Sequence, residues 1–346
     1  MFPLTWLKQK IMKTLYDDTP FPGAIARKIY FAARINAPGE VVLGQALLRP
    51  PSDNEVLVRL EGCGLCASSL PLWEGREWFQ YPLEEGVPGH EAWGVAERVG
   101  SGVEEVREGD RVALLAGNAL AEFRYVKAAE CVRIPDALKD IPFPGEPLGC
   151  AMNIFFRSRV GRDQVVAVIG AGFLGALLIQ LCKAAGARVI AVSRRASSLA
   201  AAVEAGADKV VSSDRDDVAG QVAAFTEGAG CDCVIECTGK EEPLSLAAKL
   251  CRIRGRLVIA GYHQDGARTV DMQLWNWKGL DVINAHERDP AVYRKGIESA
   301  AQAIIAGSLR PDGLYTHRFP FTEIKKALDV QALAPEGFIK ALITFD

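Results

Sequence analysis

The spacing of apolar and polar positions changes character near Cys150. Before that point, strand-like stretches run at Lys28–Ile35, Glu40–Leu48 and Glu55–Gly62. Turn-forming runs separate them, at Ala37-Pro38-Gly39 and at Pro50-Pro51-Ser52-Asp53-Asn54. Glu55-Val56-Leu57-Val58-Arg59-Leu60 alternates with the period of two that a half-buried strand requires. Further strands are predicted at Gly94–Val99, Arg111–Leu115 and Glu122–Val126, so the first part is rich in β-structure and poor in helix. After Cys150 the pattern becomes βα units. Apolar runs at Val165–Ile169, Ala187–Val192, Lys209–Val211, Cys231–Glu236, Arg256–Ala260 and Leu280–Asn284 read as strands. Helical stretches fall between them, one running from the glycines after Ile169 to Ala185 and others at Ser197–Ala205, Asp216–Thr226 and Pro243–Cys251. Strands alternating with helices of this length predict an α/β region built on a doubly wound parallel sheet. A helix at Glu298–Ala306, stopped by Gly307, and a strand at Phe338–Ile343 then return to the first part. The expected organisation is an extension at 1–27, a β-rich domain at 28–150 completed by 297–346, and a doubly wound domain at 151–296.

The join between Val165–Ile169 and the following helix carries the first chemistry. It reads Gly170-Ala171-Gly172-Phe173-Leu174-Gly175, a dinucleotide-binding fingerprint in the strand–turn–helix setting that gives it meaning. Gly170 makes the tight turn, Gly172 lets backbone approach a pyrophosphate, and Gly175 lets the helix pack close on the strand. The ligand is then expected across the carboxyl ends of the strands, where Thr238-Gly239 and Gly261-Tyr262 terminate two of them. Cofactor choice is also legible. An NAD-binding chain usually carries an acid about 20 residues past the fingerprint, to hold the ribose 2′-hydroxyl. Here that place is Ser193-Arg194-Arg195, and the next acid is Glu204, well into the following helix. Serine and two guanidiniums suit a 2′-phosphate, so NADP(H) is expected rather than NAD(H).

Composition narrows the remaining possibilities. The chain has 346 residues, 49% of them hydrophobic, enough for two cores. A net charge of −3 gives no reason to expect nucleic acid or an anionic membrane surface as partner. No apolar run reaches the roughly 18 residues that span a bilayer. Nine cysteines lie mostly in apolar segments, with no spacing of a small disulfide scaffold, and read as reduced thiols of a cytoplasmic protein. Cys231-x-Cys233 falls within strand alternation and reads as core. Lys8-Gln9-Lys10 interrupts any signal-peptide core; Met1 to Asp18 reads as a short amphipathic extension ended by Pro20-Phe21-Pro22-Gly23.

Two segments of the β-rich part extend the chemistry: Gly64-Leu65-Cys66-Ala67-Ser68 after a strand end, and Pro88-Gly89-His90-Glu91 before the next strand. With the Gly109-Asp110-Arg111-Val112 turn and the glycine fingerprint, they resemble the medium-chain, zinc-dependent alcohol dehydrogenase family. Glu146-Pro147-Leu148 is similar to its sorbitol- and threonine-dehydrogenase-like branch, and the resemblance runs from about Lys28 to Asp346. It implies a GroES-like catalytic domain beside a Rossmann domain, and a homodimer or homotetramer. It also implies zinc ligands at Cys66, His90 and Glu146, a donor set that leaves a fourth position open. Glu91 resembles an acid that can approach the metal, Ser68 the hydroxyl that takes the alcohol proton, and Lys340 a basic residue near the pyrophosphate. Cys150, four residues past Glu146, is the alternative third ligand. His286, in Asn284-Ala285-His286-Glu287-Arg288, is either a polar neighbour of the cleft or part of it.

Two departures from the family pattern matter. Ser69 stands where an aspartate commonly orients the ligand histidine, and loss of such a partner weakens metal binding about 10–100-fold. The stretch Ala113 to Ala121 lacks the four cysteines of a structural zinc loop, so one zinc per chain is expected. Between the two ligand segments, Trp73, Trp78, Phe79 and Tyr81 either wall a substrate pocket or pack beneath a long loop. The function expected is interconversion of a secondary alcohol, of polyol or sugar-alcohol type, with its ketone. A zinc-free NADPH-dependent reductase of activated double bonds, and a dinucleotide-binding protein without activity, are the competing readings.

Overall fold

The computed structural model describes residues 29–345. The extension read at 1–27 lies outside the described residues. A hairpin of β1 (Ile29–Ala37) and β2 (Glu40–Leu47) is the first element among the described residues, turning at Gly39 with φ of 70°. Strand β3 (Glu55–Gly64) is the hub of a seven-stranded mixed sheet. Along it, β4 (Glu91–Val99), β6 (Phe123–Lys127) and the last strand of the chain, β15 (Ala341–Thr344), all pair antiparallel. A short helix α1 (Leu70–Glu74) follows β3, while β5 (Arg111–Leu114), β7 (Cys131–Arg133) and β14 (His317–Pro320) fill out the sheet. Two glycines of β3 are fixed by β4: a Cβ on Gly62 would fall 2.3 Å from the Trp93 ring, and one on Gly64 would fall 2.0 Å from the Glu91 carboxylate. The register pairs Gly64 with Glu91, so the absent side chain leaves room for a fully buried acid.

The second sheet has six strands, all parallel, in the order β10-β9-β8-β11-β12-β13. Their ranges are β8 (Val165–Ile169), β9 (Arg188–Ser193), β10 (Lys209–Ser212), β11 (Cys231–Glu236), β12 (Cys251–Ile259) and β13 (Asp281–Asn284). Helices α3 (Phe173–Ala184), α4 (Ala196–Glu204), α5 (Val218–Phe225) and α6 (Glu241–Leu250) connect the first five strands, as the alternation predicts. Strand order reverses between β8 and β11, and this switch point is where such sheets receive ligands.

Helices α2 (Gly145–Ser158) and α8 (Pro290–Ile305) pack closely together and carry the chain between the two sheets. Glycines set their approach. A Cβ on Gly149 would lie 2.7 Å from Ile297, and one on Gly296 would lie 2.8 Å from the Gly149 carbonyl. α8 starts well before the Glu298 read from the apolar pattern, because Asp289 caps it with a 2.9 Å bond from Ala291 N–H and Pro290 suits its first turn. Helix α7 (Met272–Lys278) has no apolar period of its own, but Asp271 caps one end and Gly279, at φ of 57°, closes the other. β12 begins at Cys251, earlier than the pattern suggests, because an irregularity in its pairing with β11 carries it past Gly255. Among the described residues no helix is long and apolar enough to cross a membrane.

One side chain locks α7 onto α6. Lys278 Nζ donates to the carbonyls of Ala248 (3.2 Å), Lys249 (2.7 Å) and Cys251 (2.5 Å), acceptors that the end of α6 leaves open. Lys278→Met should keep the stem packed and orphan these acceptors, costing about 1–2 kcal/mol of stability. Urea unfolding followed by fluorescence measures this; an unchanged midpoint would contradict the role given to the ammonium.

Candidate active site

Cys66 follows the end of β3 and His90 immediately precedes β4, so the β3–β4 register brings their side chains together. Cys66 Sγ, a His90 ring nitrogen and a Glu91 carboxylate oxygen all lie within 4.8 Å of one another. His90 Nδ1 lies 2.8 Å from the Pro88 carbonyl, which leaves the other ring nitrogen for the Cys66 side. The orienting contact sought at Ser69 is thus made by backbone instead. Burial alone would lower the His90 pKa. The Cys66 hydrogen bond and the negative charges of Cys66, Glu91 and Glu146 outweigh it and bring the ring to about 10.

Glu146 sits in the first turn of α2 and stands apart from that group of three. Its Oε1 accepts from Tyr293 Oη on α8 at 3.2 Å and from Cys150 Sγ at 3.5 Å, and Tyr293 Oη lies 3.0 Å from the same sulfur. Burial, then the Glu146 charge, push the Cys150 thiol well up. Burial also raises the Glu146 carboxyl, although the His90 charge opposes this. Tyr293 carried no sequence signal: it lies some 140 residues from its partners and meets them only through the α2–α8 packing.

Lys340 closes the cluster from the C-terminal segment. It is 5% exposed, donates to Glu91 Oε1 at 2.7 Å, and lies 2.5 Å from Oε2 at a poorer angle. Its Nζ also stands 4.9 Å over the Phe173 ring. Burial would lower the Lys340 pKa, but the Glu91, Cys66 and Glu146 charges raise it.

These residues form one wall of a cleft of about 740 Å³. Ser68 lines it beside Cys66, and Gly170, Gly172, Phe173, Leu174, Gly175, Arg194, Arg195, Thr238 and Gly261 line it too. Ser193, by contrast, ends β9 outside the cleft lining. The three fingerprint glycines behave differently. Gly170 has φ of 93°, and a Cβ there would press on Thr238; a Cβ on Gly175 would lie 2.1 Å from the Gly170 carbonyl. A Cβ on Gly172 would meet nothing within 4 Å, so that backbone faces open space. The aromatic residues of the ligand-segment loop stay out of the cleft: Trp73 is buried in the core with Nε1 on Asp329, and Trp78 is exposed against Phe79. Cys231 and Cys233 are fully buried core residues. His286 lines the cleft and stacks on Tyr262, ring centres 5.4 Å apart.

Among the described residues, seven buried side-chain atoms lack a hydrogen-bond partner; one, Glu91 Oε2, is met by the Lys340 ammonium, and three others, on Asn153, Arg195 and Gln331, line this cleft. Buried polar groups are normally paired, so their concentration here marks a ligand site. Sequence reasoning missed one further donor, Ser197 Oγ, unpartnered in the first turn of α4, two residues after Arg195 and outside the cleft lining. It missed Glu236 as well. That fully buried acid ends β11 and holds the Thr238–Gly239 turn through both backbone N–H groups, the Thr238 hydroxyl and His263 Nε2 at 3.0 Å.

Comparison with known proteins identifies relatives along most of the chain. Residues 52–136 match the model of the alcohol dehydrogenase GroES-like domain, and residues 174–302 that of the zinc-binding dehydrogenases. Sorbitol dehydrogenase of Homo sapiens is 29% identical, over 89% of this chain and 92% of its own length. D-arabitol-phosphate dehydrogenase of Enterococcus avium is 24% identical, over 80% and 87%. A protein of Sinorhizobium meliloti 1021 solved with NADP superposes with a TM-score of 0.79 at 26% identity, covering 92% of this chain and 100% of that one. The α/β fold, the glycine turn and the Cys–His–Glu cluster thus meet in a chain that belongs to the zinc-type medium-chain dehydrogenase/reductase family and is an alcohol dehydrogenase of that type.

Proposed function

We propose that the protein interconverts a secondary alcohol of the polyol or sugar-alcohol type with its ketone, using zinc and NADP(H). The observation that carries this reading is the convergence of Cys66, His90 and Glu91 within 4.8 Å, in the same cleft as the glycine turn. The donor set fits the metal. Thiolate, imidazole and carboxylate are all zinc ligands, and one atom of each stands within 4.8 Å of the others. Cys66 and His90 would hold the ion with a carboxylate as third ligand: Glu91 stands in the cluster, and Glu146 waits beside it on the Tyr293 hydroxyl. When bound, zinc supplies Lewis acidity toward the substrate oxygen.

The residues of the chain supply the rest. Ser68 Oγ would accept the hydrogen bond of the alcohol hydroxyl and, as it takes that proton, pass its own on toward solvent through a relay. The Pro88 carbonyl fixes the tautomer and plane of His90. Lys340 balances the charge of Glu91 and limits its approach. The Gly172 backbone and the start of α3 would hold the pyrophosphate of the dinucleotide, with Thr238 and Gly261 lining the same cleft, and the bound cofactor would supply hydride chemistry. The unpaired Arg195 Nη1 and Ser197 Oγ, with Arg194 beside them, support recognition of a 2′-phosphate. Burial lowers the Arg195 pKa, as an anion in contact with it would offset.

Nine free cysteines suit a reducing, cytoplasmic setting. An edge position for β13, with Val282 and Trp277 exposed on or beside it, supports a homodimer built across that edge or a homotetramer containing it.

Two measurements test the reading. In Cys66→Ser, stoichiometric zinc should be lost and kcat/KM for polyol oxidation should fall at least about 100-fold. Metal analysis of wild type and mutant, alongside their rates, decides it. The metal mechanism is wrong if the wild type carries no zinc and the mutant oxidises alcohols at an unchanged rate. In Arg195→Gln, KM for NADP should rise about 10–100-fold and KM for NAD should stay within about twofold. An equal rise for both cofactors would sink the assignment to the 2′-phosphate.

A further inference from the structure

Helix α2 turns one face to the cleft, through Glu146, Cys150 and Asn153, residues spaced to lie above one another. The polar atoms of the first two are met by the Tyr293 hydroxyl. Asn153, about one turn further along, differs. It is 4% exposed, it lines the cleft, and its Nδ2 has no hydrogen-bond partner. An unpaired buried amide donor is destabilising, and a leucine would fill the same volume without that cost. The neighbouring helix also makes room for it. A Cβ on Gly296 would come within 2.6 Å of Asn153 Oδ1, so α8 is cut back where Asn153 stands. A polar side chain that gains nothing from its own fold, in a space shaped to hold it, at the edge of a ligand cleft, belongs to the ligand.

We propose that Asn153 donates through Nδ2 to a neutral oxygen acceptor of the bound ligand. This rests on the dehydrogenase reading above. The acceptor has two sources in that cleft, the carboxamide carbonyl of the nicotinamide or a hydroxyl of the polyol remote from the reacting carbon. Glu146 and Tyr293 face the same stretch, and neither offers Asn153 a bond of its own. A neutral acceptor is indicated because the donor is an uncharged amide with no guanidinium or ammonium bonded to it.

The test uses zinc-loaded full-length protein and Asn153→Leu, with three readouts. These are thermal unfolding of the ligand-free protein, the NADPH dissociation constant from its fluorescence, and KM for D-sorbitol against KM for 2-propanol. Melting of ligand-free Asn153→Leu should be unchanged or higher, because an unpaired donor has gone. A rise of about tenfold or more in the NADPH constant assigns the bond to the carboxamide. An unchanged NADPH constant, with a similar rise in KM for sorbitol but not for 2-propanol, assigns it to the substrate hydroxyl. If both constants stay within twofold of wild type, the proposal is overturned whatever the melting temperature does. Should Asn153→Leu not fold, Asn153→Ser, whose hydroxyl is too short to reach, is read by the same two constants. Wild-type binding of NADPH and turnover of sorbitol are the control. Their failure would count against the dehydrogenase reading and not against Asn153.

Discussion

A single buried ion pair ties the site together. Lys340 Nζ and the Glu91 carboxylate meet at 2.7 Å, both almost wholly removed from water. Two charges in such a place hold only as a pair, and loss of either partner would leave the other stranded. Their chain positions are 249 residues apart, so the contact forms only when the C-terminal strand returns to the first sheet. On one side the pair anchors the carboxylate next to Cys66 and His90. On the other, the ammonium rests over Phe173, the first residue of the helix that begins at the fingerprint glycines. One lysine therefore touches both the Cys66–His90–Glu91 cluster and the helix that follows the glycine turn.

Around that pair the cleft shows the economy expected of a functional site. Most of the molecule satisfies its buried polar groups, whereas several orphans gather where a cofactor and substrate are to lie. Among them, Arg195 Nη1 and Asn153 Nδ2 are donors whose partners a bound ligand would have to supply. The backbone conforms too. Gly170 and Gly175 are glycine because neighbouring atoms leave no room, but Gly172 is glycine against open space that the protein itself does not fill. The support behind the site is more elaborate than the motifs suggest. Glu236 pins the Thr238–Gly239 turn, and Tyr293 holds Glu146 and Cys150.

Local order was legible in the sequence wherever a short-range rule governs. The period of two in β3, the βα alternation from β8 onward and the glycine turn all depend on residues within a few positions of one another, and those elements stand close to where the pattern puts them. Cys66, His90 and Glu91 could be named because their two segments resemble those of a known family, and the pairing of two adjacent strands then brings them together. Helices α2 and α7 were less visible. Their apolar faces are set by packing partners, and for α7 only the caps at Asp271 and Gly279 betray it.

What the sequence determined alone was the chemistry on offer: a nucleotide turn, a thiol, an imidazole and several carboxylates, with guanidiniums where an acid is usual. Tertiary structure decided which of these meet. It put Glu91 beside Cys66 and left Glu146 on Tyr293; it gave the orientation of His90 to the Pro88 carbonyl; it kept Ser193 out of the cleft and brought Asn153 into it. The physical reason is range. A turn or a strand is specified by steric and hydrogen-bonding rules that act within a few residues, whereas a side chain's partners are fixed by how distant surfaces pack. Nothing in the neighbourhood of position 146 or 153 announces what α8 will bring to it.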